Sequence, residues 1–263
     1  MKLVKKESDN NNIYYVYSYN FKTVDKTREI SIYLPSTYDG KKKFPVIYML
    51  DGQNLFVGQV SGSLKSWEVD KHIENLIKEQ VNAGFIVVGI YAHPTIREQE
   101  YAPCMFKNWR AKKTKPQADA TAAMILEIKE LIDKEYKTLS DPLNTFIAGS
   151  SCGGIMVYYM LNKYKDYFNG YGIFSNAGFI LKDNMTGWPN DFKGKDVFVY
   201  VGGNEGFKDK RRSKLYSKVS YEIVDSLYER NANVMFKEVL TNVHNEIAWS
   251  SVFEDFLRFI SIK

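Results

Sequence analysis

The chain has 263 residues, 44% of them hydrophobic and 15% aromatic, a content that suits one large folded domain and excludes global disorder. Its 36 lysines and arginines against 31 aspartates and glutamates leave a net charge of +5, clustered at 41–43, 110–115 and 208–218 with no nucleic-acid-binding motif beside it. Two cysteines and three histidines provide neither a disulfide framework nor a zinc-ligand spacing, so a domain spanning 1–263 without metal or organic cofactor is expected.

In chain order, the N-terminal "MKLVKKESDNNN" has basic residues but no apolar segment behind them, and no run of about 18 apolar residues occurs. A cytoplasmic protein without membrane contact is the expectation. The stretches "NIYYVYSYNF" and "REISIYLP" predict neighbouring antiparallel strands at an edge. Continuously apolar runs follow at 44–50, 85–92, 144–150, 170–175 and 196–203, with "NVMFKEVL" at 233–240. Runs without alternation suit strands covered on both faces. Between them lie helical stripes: Val69, Ile73, Leu76 and Ile77, then Ile125, Ile128, Ile132 and Tyr136. Val219, Ile223, Val224 and Leu227 form a third, and Val252, Phe253, Phe256 and Ile260 a fourth. Alternating strands and helices predict an α/β fold: a mostly parallel central sheet of about eight strands flanked by helices, with an antiparallel N-terminal edge. Residues 93–118 and 177–195 break the rhythm and read as irregular covers over a site.

The segment "IAGSSCGG" at 147–154 contains G-x-S-x-G between a buried strand and an apolar helix. That context fits a nucleophile elbow, a tight turn in which the central Ser151 is held in a strained conformation. A serine hydroxyl needs a base, and histidine titrates nearest to neutral pH. His72 falls in a helical stripe and His93 opens an irregular segment, whereas His244 stands between the last strand and the last helix, where this architecture places its base. The third member is a carboxylate that orients the imidazole. Glu205 follows the strand "DVFVYVGG" directly, giving the order Ser151, Glu205, His244. Glu246 and Asp209 are its rivals. The backbone N–H groups of Cys152 and Gln53 are the expected donors to the oxyanion.

Together, "YLPSTYDGKKKFPVIYMLDGQNLF", "WEVDKHIENLI", "FIVVGIYAHPTIREQEYAP", "TFIAGSSCGGIMVYY", "VYVGGNEG" and "HNEIAW" resemble the Putative esterase family of the α/β-hydrolase fold. That family includes esterase D, feruloyl and acetylxylan esterases, enterochelin-type siderophore esterases and mycolyltransferases. The resemblance runs from about residue 27 onward and implies Ser151 as nucleophile, His244 as base and an acid at Glu205, where many relatives carry aspartate. Leu50 stands where many have histidine, and Cys152 where methionine is frequent. A serine carboxylic-ester hydrolase acting on small to medium esters, such as acylated or feruloylated saccharides, is therefore expected. Trp67, Tyr101, Trp109 and Trp188 are candidates for stacking on substrate, and the basic cluster at 208–218 favours an anionic one. A siderophore trilactone esterase, an acyltransferase and a non-catalytic binding scaffold are the alternatives. Oligomeric state is not readable.

Overall fold

A computed structural model describes residues 2–9, 12–21, 26–56, 65–107, 115–183, 185–188 and 190–261. Strands β1 (Lys2–Asp9), β2 (Asn12–Phe21) and β3 (Lys26–Tyr33) open the chain. They are followed by β4 (Val46–Leu50), helix α1 (Val69–Lys78), β5 (Ile86–Ile90), the single-turn α2 (Arg97–Glu100) and α3 (Ala118–Glu135). Next come β6 (Thr145–Ser150), α4 (Cys152–Tyr164), β7 (Gly170–Phe174), β8 (Asp196–Gly202), α5 (Lys210–Glu229), β9 (Asn233–Val239) and α6 (Glu246–Ser261).

All nine strands join one sheet in the order β1-β2-β3-β5-β4-β6-β7-β8-β9. The pairings from β1 through β3 to β5 are antiparallel, and every pairing from β5 to β9 is parallel. The expected architecture is present with one strand more than anticipated. β1 has the sequence KLVKKESD, whose charges give no apolar run to read, yet it pairs with β2 along its length. Charged residues are a usual feature of edge strands, because they discourage further pairing.

Every residue of β4, β5, β6 and β7 is buried, which is why these runs lack alternation. One face packs against α3, α4 and α5 through Ile125, Met156 and Ile223. The opposite face packs against α1 and α6 through Ile73, Trp67, Phe253 and Phe256. The predicted stripes supply these faces: Val69, Ile73 and Leu76, then Ile125, Ile128 and Ile132, then Val219 to Leu227, then Val252 to Ile260.

The two irregular segments meet one another. Phe106 bridges Leu181, Lys107 N–H donates to the Ile180 carbonyl at 2.8 Å, and Lys182 N–H donates to the Met105 carbonyl at 2.8 Å. The first segment is also tied to the sheet, because Arg28 of β3 forms a buried ion pair with Glu100 of α2. Glu100 accepts the His93 N–H as well, at 3.2 Å. Both partners are almost fully enclosed, and an unpaired charge there would be costly.

Candidate active site

The turns after β4, β6, β8 and β9 lie at the carboxyl ends of parallel strands, the rim where open α/β sheets build their sites. Ser151 joins β6 to α4 with φ 58° and ψ −120°, a left-handed conformation that non-glycine residues rarely adopt. Three backbone contacts hold it: its N–H donates to the Phe174 carbonyl at 2.9 Å, and its carbonyl accepts from the Ile155 and Ala177 N–H groups at 3.2 and 3.3 Å. Gly149 is required beneath it, since a Cβ there would lie 2.9 Å from the Gly153 backbone. This is the strained strand-to-helix turn anticipated from the motif.

Asn242 and His244 follow β9, and the Asn204 N–H donates to the Asn242 carbonyl at 3.0 Å, binding the β8 and β9 turns together. The His244 imidazole is thereby brought to Glu205, with Nδ1 2.6 Å from Oε2. The carboxylate is fully enclosed and the imidazole 22% exposed. The other carboxylate oxygen accepts the Gly202 N–H at 2.7 Å and the Ser175 hydroxyl. Ser175 in turn accepts from the Trp249 indole of α6 at 2.9 Å. Every oxygen of the buried carboxylate is therefore satisfied, as burial demands.

The rival carboxylates have other occupations. Asp209 caps α5 by accepting from the Arg211 and Arg212 N–H groups at 3.0 and 3.1 Å. Glu246 begins α6 and accepts from Asn54 at 3.3 Å. The other histidines are likewise committed. His72 lies 2.9 Å from the Ser250 hydroxyl on α6, and burial pushes its pKa down. His93 Nδ1 accepts the Thr95 N–H at 3.2 Å within its own turn.

The turn after β4 faces the elbow. Asp51 takes φ 58° and ψ 47°, and Arg97 grips its carboxylate with two donors, Nη2 at 2.7 Å from Oδ2. Burial works against the Arg97 charge, but attraction and hydrogen bonds from Asp51 outweigh it and raise its pKa. Gly52 must be glycine, for a Cβ would fall 2.4 Å from the Gly89 backbone. The Gln53 side chain accepts the Ala92 N–H at 3.1 Å. The N–H groups of Gln53 and Cys152 both sit in the first turn of a helix, where no intrahelical acceptor exists. Burial raises the pKa of the Cys152 thiol, leaving it neutral.

Tyr216 of α5 joins this group without having been singled out in the sequence. Its ring lies 4.8 Å from the His244 ring, and its hydroxyl is faced by the Arg212 guanidinium and the Ser151 hydroxyl. The residue is 1% exposed, and burial raises its pKa above the usual phenol value. The stripe Val219, Ile223, Leu227 continues backward to Tyr216 with helical spacing, a signal that could have pointed to it. Among the described residues no Ser151–His244 hydrogen bond is formed in this resting arrangement. Nδ1 is held by Glu205, which leaves Nε2 as the nitrogen available to the serine. Such contacts are commonly long before substrate binds.

Three of the expected stacking residues are not placed for that task. Trp67 is 2% exposed, wedged between Phe174, Trp249 and Phe253 at ring separations of 4.9 to 5.6 Å. Tyr101 is buried, accepts the Asp51 N–H at 3.4 Å and lies beneath Arg97. Trp188 packs edge-on against Tyr159, and its carbonyl accepts from Arg230 near the end of α5, about four helical turns beyond Tyr216. Its hydrophobicity is spent on packing rather than on the rim. Trp109 lies outside the described residues. Among those residues no group of three or more His, Cys, Asp and Glu side chains is arranged to hold a metal ion, and no helix is long and apolar enough to cross a membrane.

Comparison with known proteins places this geometry in context. The family described as Putative esterase matches residues 22–239. "Uncharacterized protein YbbA" of Bacillus subtilis (strain 168) is 23% identical over 213 residues, covering 77% of this chain and 79% of that protein. Among solved structures, the BES protein from Bacillus cereus superposes with a TM-score of 0.73 at 18% identity, covering 100% of both chains. A ferulic acid esterase from Anaeromyces mucronatus, solved in complex with ferulic acid, gives 0.68 at 20% identity, covering 99% of this chain and 93% of that one. The structural likenesses establish a common α/β-hydrolase fold. With the family match spanning most of its length, the chain belongs to the Putative esterase family and is an ester hydrolase.

Proposed function

We propose that the chain is a serine carboxylic-ester hydrolase, formed by residues 1–263 as one domain, with Ser151 as nucleophile, His244 as base and Glu205 as the orienting acid. The single observation that carries this reading is the 2.6 Å contact from His244 Nδ1 to an enclosed Glu205 carboxylate at the rim that also presents Ser151. Ser151 Oγ attacks the ester carbon as His244 Nε2 takes its proton. The carbonyl oxygen, now an anion, is met by the Cys152 and Gln53 N–H groups. Collapse expels the alkoxide, which takes the proton from His244. Water then repeats the sequence to release the acid and restore the serine.

The substrate class is a small to medium ester with an aromatic acyl group, such as a feruloylated saccharide. Likeness to a ferulic acid esterase at 20% identity supports this finer choice, and the packing of Trp67, Tyr101 and Trp188 takes three stackers away from it. Treatment with a fluorophosphonate should add one phosphonyl group, located on Ser151 by peptide mass spectrometry, and abolish cleavage of methyl ferulate and p-nitrophenyl acetate. Full activity in the presence of the reagent would refute the nucleophile, and cleavage of acetyl esters alone would refute the aromatic acyl preference.

Tyr216 is assigned a positioning role, its hydroxyl steering Ser151 Oγ toward the imidazole. Tyr216→Phe removes one hydrogen-bonding group worth about 0.5–1.5 kcal/mol, so kcat should fall by up to roughly tenfold with KM little changed. If Tyr216 served packing alone, steady-state kinetics per labelled site would be unchanged.

A further inference from the structure

Phe179, in the 3-10 turn Gly178–Ile180 after β7, packs edge-on against Tyr216 with ring centroids 4.7 Å apart. The same ring lines a cavity of about 300 Å³ between α5 and the joined irregular segments. Leu215 and Val219 of α5 complete its apolar part, and Leu215 is left 43% exposed. Three lysines, Lys107, Lys182 and Lys218, surround it against two acids, Asp183 and Glu222. Lys218 is compensated by Glu222 at 3.8 Å, and Asp183 accepts the Met185 N–H at 2.8 Å. Lys107 and Lys182 have no ion-pair partner among the described residues. Apolar side chains beside a lining with a surplus of positive charge suit a carbon skeleton that ends in an anion.

The cavity's place relative to the reaction decides which part of an ester reaches it. His244 must give its proton to the departing oxygen, so the alcohol portion leaves on the imidazole's side of Ser151. Tyr216 stacks on that imidazole, and Phe179 stands next to Tyr216. We propose that this cavity binds an anionic group carried by the alcohol portion of the ester, so that the enzyme selects esters of acidic alcohols or phenols through Lys107 and Lys182. This selectivity rests on the serine-hydrolase reading of the site and adds to it a preference on the leaving-group side. The ammonium groups stabilise bound substrate and transition state alike, so the gain falls on KM rather than on kcat.

The test compares 4-acetoxyphenylpropanoate with its carboxamide, two acetyl esters of one phenol that differ only in the remote charge. The expected kcat/KM ratio is about three- to fivefold in favour of the carboxylate, the worth of one exposed charge contact. It should shrink in 0.5 M salt and vanish in Lys107→Gln/Lys182→Gln, which should cleave the carboxamide at the unmodified rate. Equal cleavage of both esters by the unmodified enzyme, or a preference that survives loss of both lysines, would overturn the cavity's role while leaving the triad intact. Failure to cleave either ester together with failure of Ser151 to take up a fluorophosphonate would overturn the underlying reading as well.

Discussion

Ser151→Ala is expected to lower kcat for p-nitrophenyl acetate and for methyl ferulate by about 10³-fold or more, with the melting temperature nearly unchanged. Under the proposed assignment, the substitution deletes the one atom that forms the acyl bond and leaves the amide donors, His244 and Glu205 in place. Alanine at φ 58° bears the same steric penalty that serine already bears, so the turn itself has no new reason to open. Ser150 cannot substitute for it, because that neighbour ends β6 and is buried. Retained turnover in a protein that also resists fluorophosphonate labelling would remove Ser151 from the chemistry.

Glu205→Gln should cost about 10³- to 10⁴-fold in kcat, through the tautomer of the histidine rather than through shape. A carboxylate beside Nδ1 requires the proton to sit on Nδ1, leaving Nε2 free to accept from serine. A glutamine that keeps its oxygen on Gly202 N–H and Ser175 presents its amide NH₂ to Nδ1 instead. The imidazole then holds its proton on Nε2 and cannot act as a base. Glu205→Asp tests distance alone, and retracting the carboxylate by one methylene should cost about 10²-fold. Kinetics should be read against the far-ultraviolet circular dichroism of each variant, since the carboxylate also ties Ser175 and the β8 turn together. A Glu205→Gln enzyme as fast as the unmodified one would eliminate this residue as the acid.

The strand-turn-helix context of Ser151, the position of His244 after the last strand and the position of Glu205 after β8 were legible because each depends on local pattern and chain order. The parallel sheet was legible for a similar reason: β4 to β7 are covered on both faces, and their sequences are correspondingly apolar throughout. β1 was not, because pairing at an edge needs no apolar signature. Trp67 and Tyr101 misled because residue type reports a capacity for stacking but not burial. Only the docking of α6 on the sheet shows Trp67 enclosed by Phe253 and Trp249. Tyr216 and Arg97 were missed for the converse reason. Each joins the site through contacts about 30 to 65 residues away in the chain, with His244, Ser151 and Asp51. Such contacts depend on how α5 and the first irregular segment settle on the rim; the α5 stripe shows that Tyr216 faces inward but not which residues it meets there.

The Trp249 indole that supports Ser175 beneath Glu205 has a consequence for the nascent protein. During synthesis the elbow, the amide donors and the carboxylate all leave the ribosome before α6 does. Until that helix folds back against the sheet, the acid lacks a prop and the loop bearing the imidazole lacks its anchor. Under the proposed assignment, full cleavage therefore waits for the docking of α6 on the sheet.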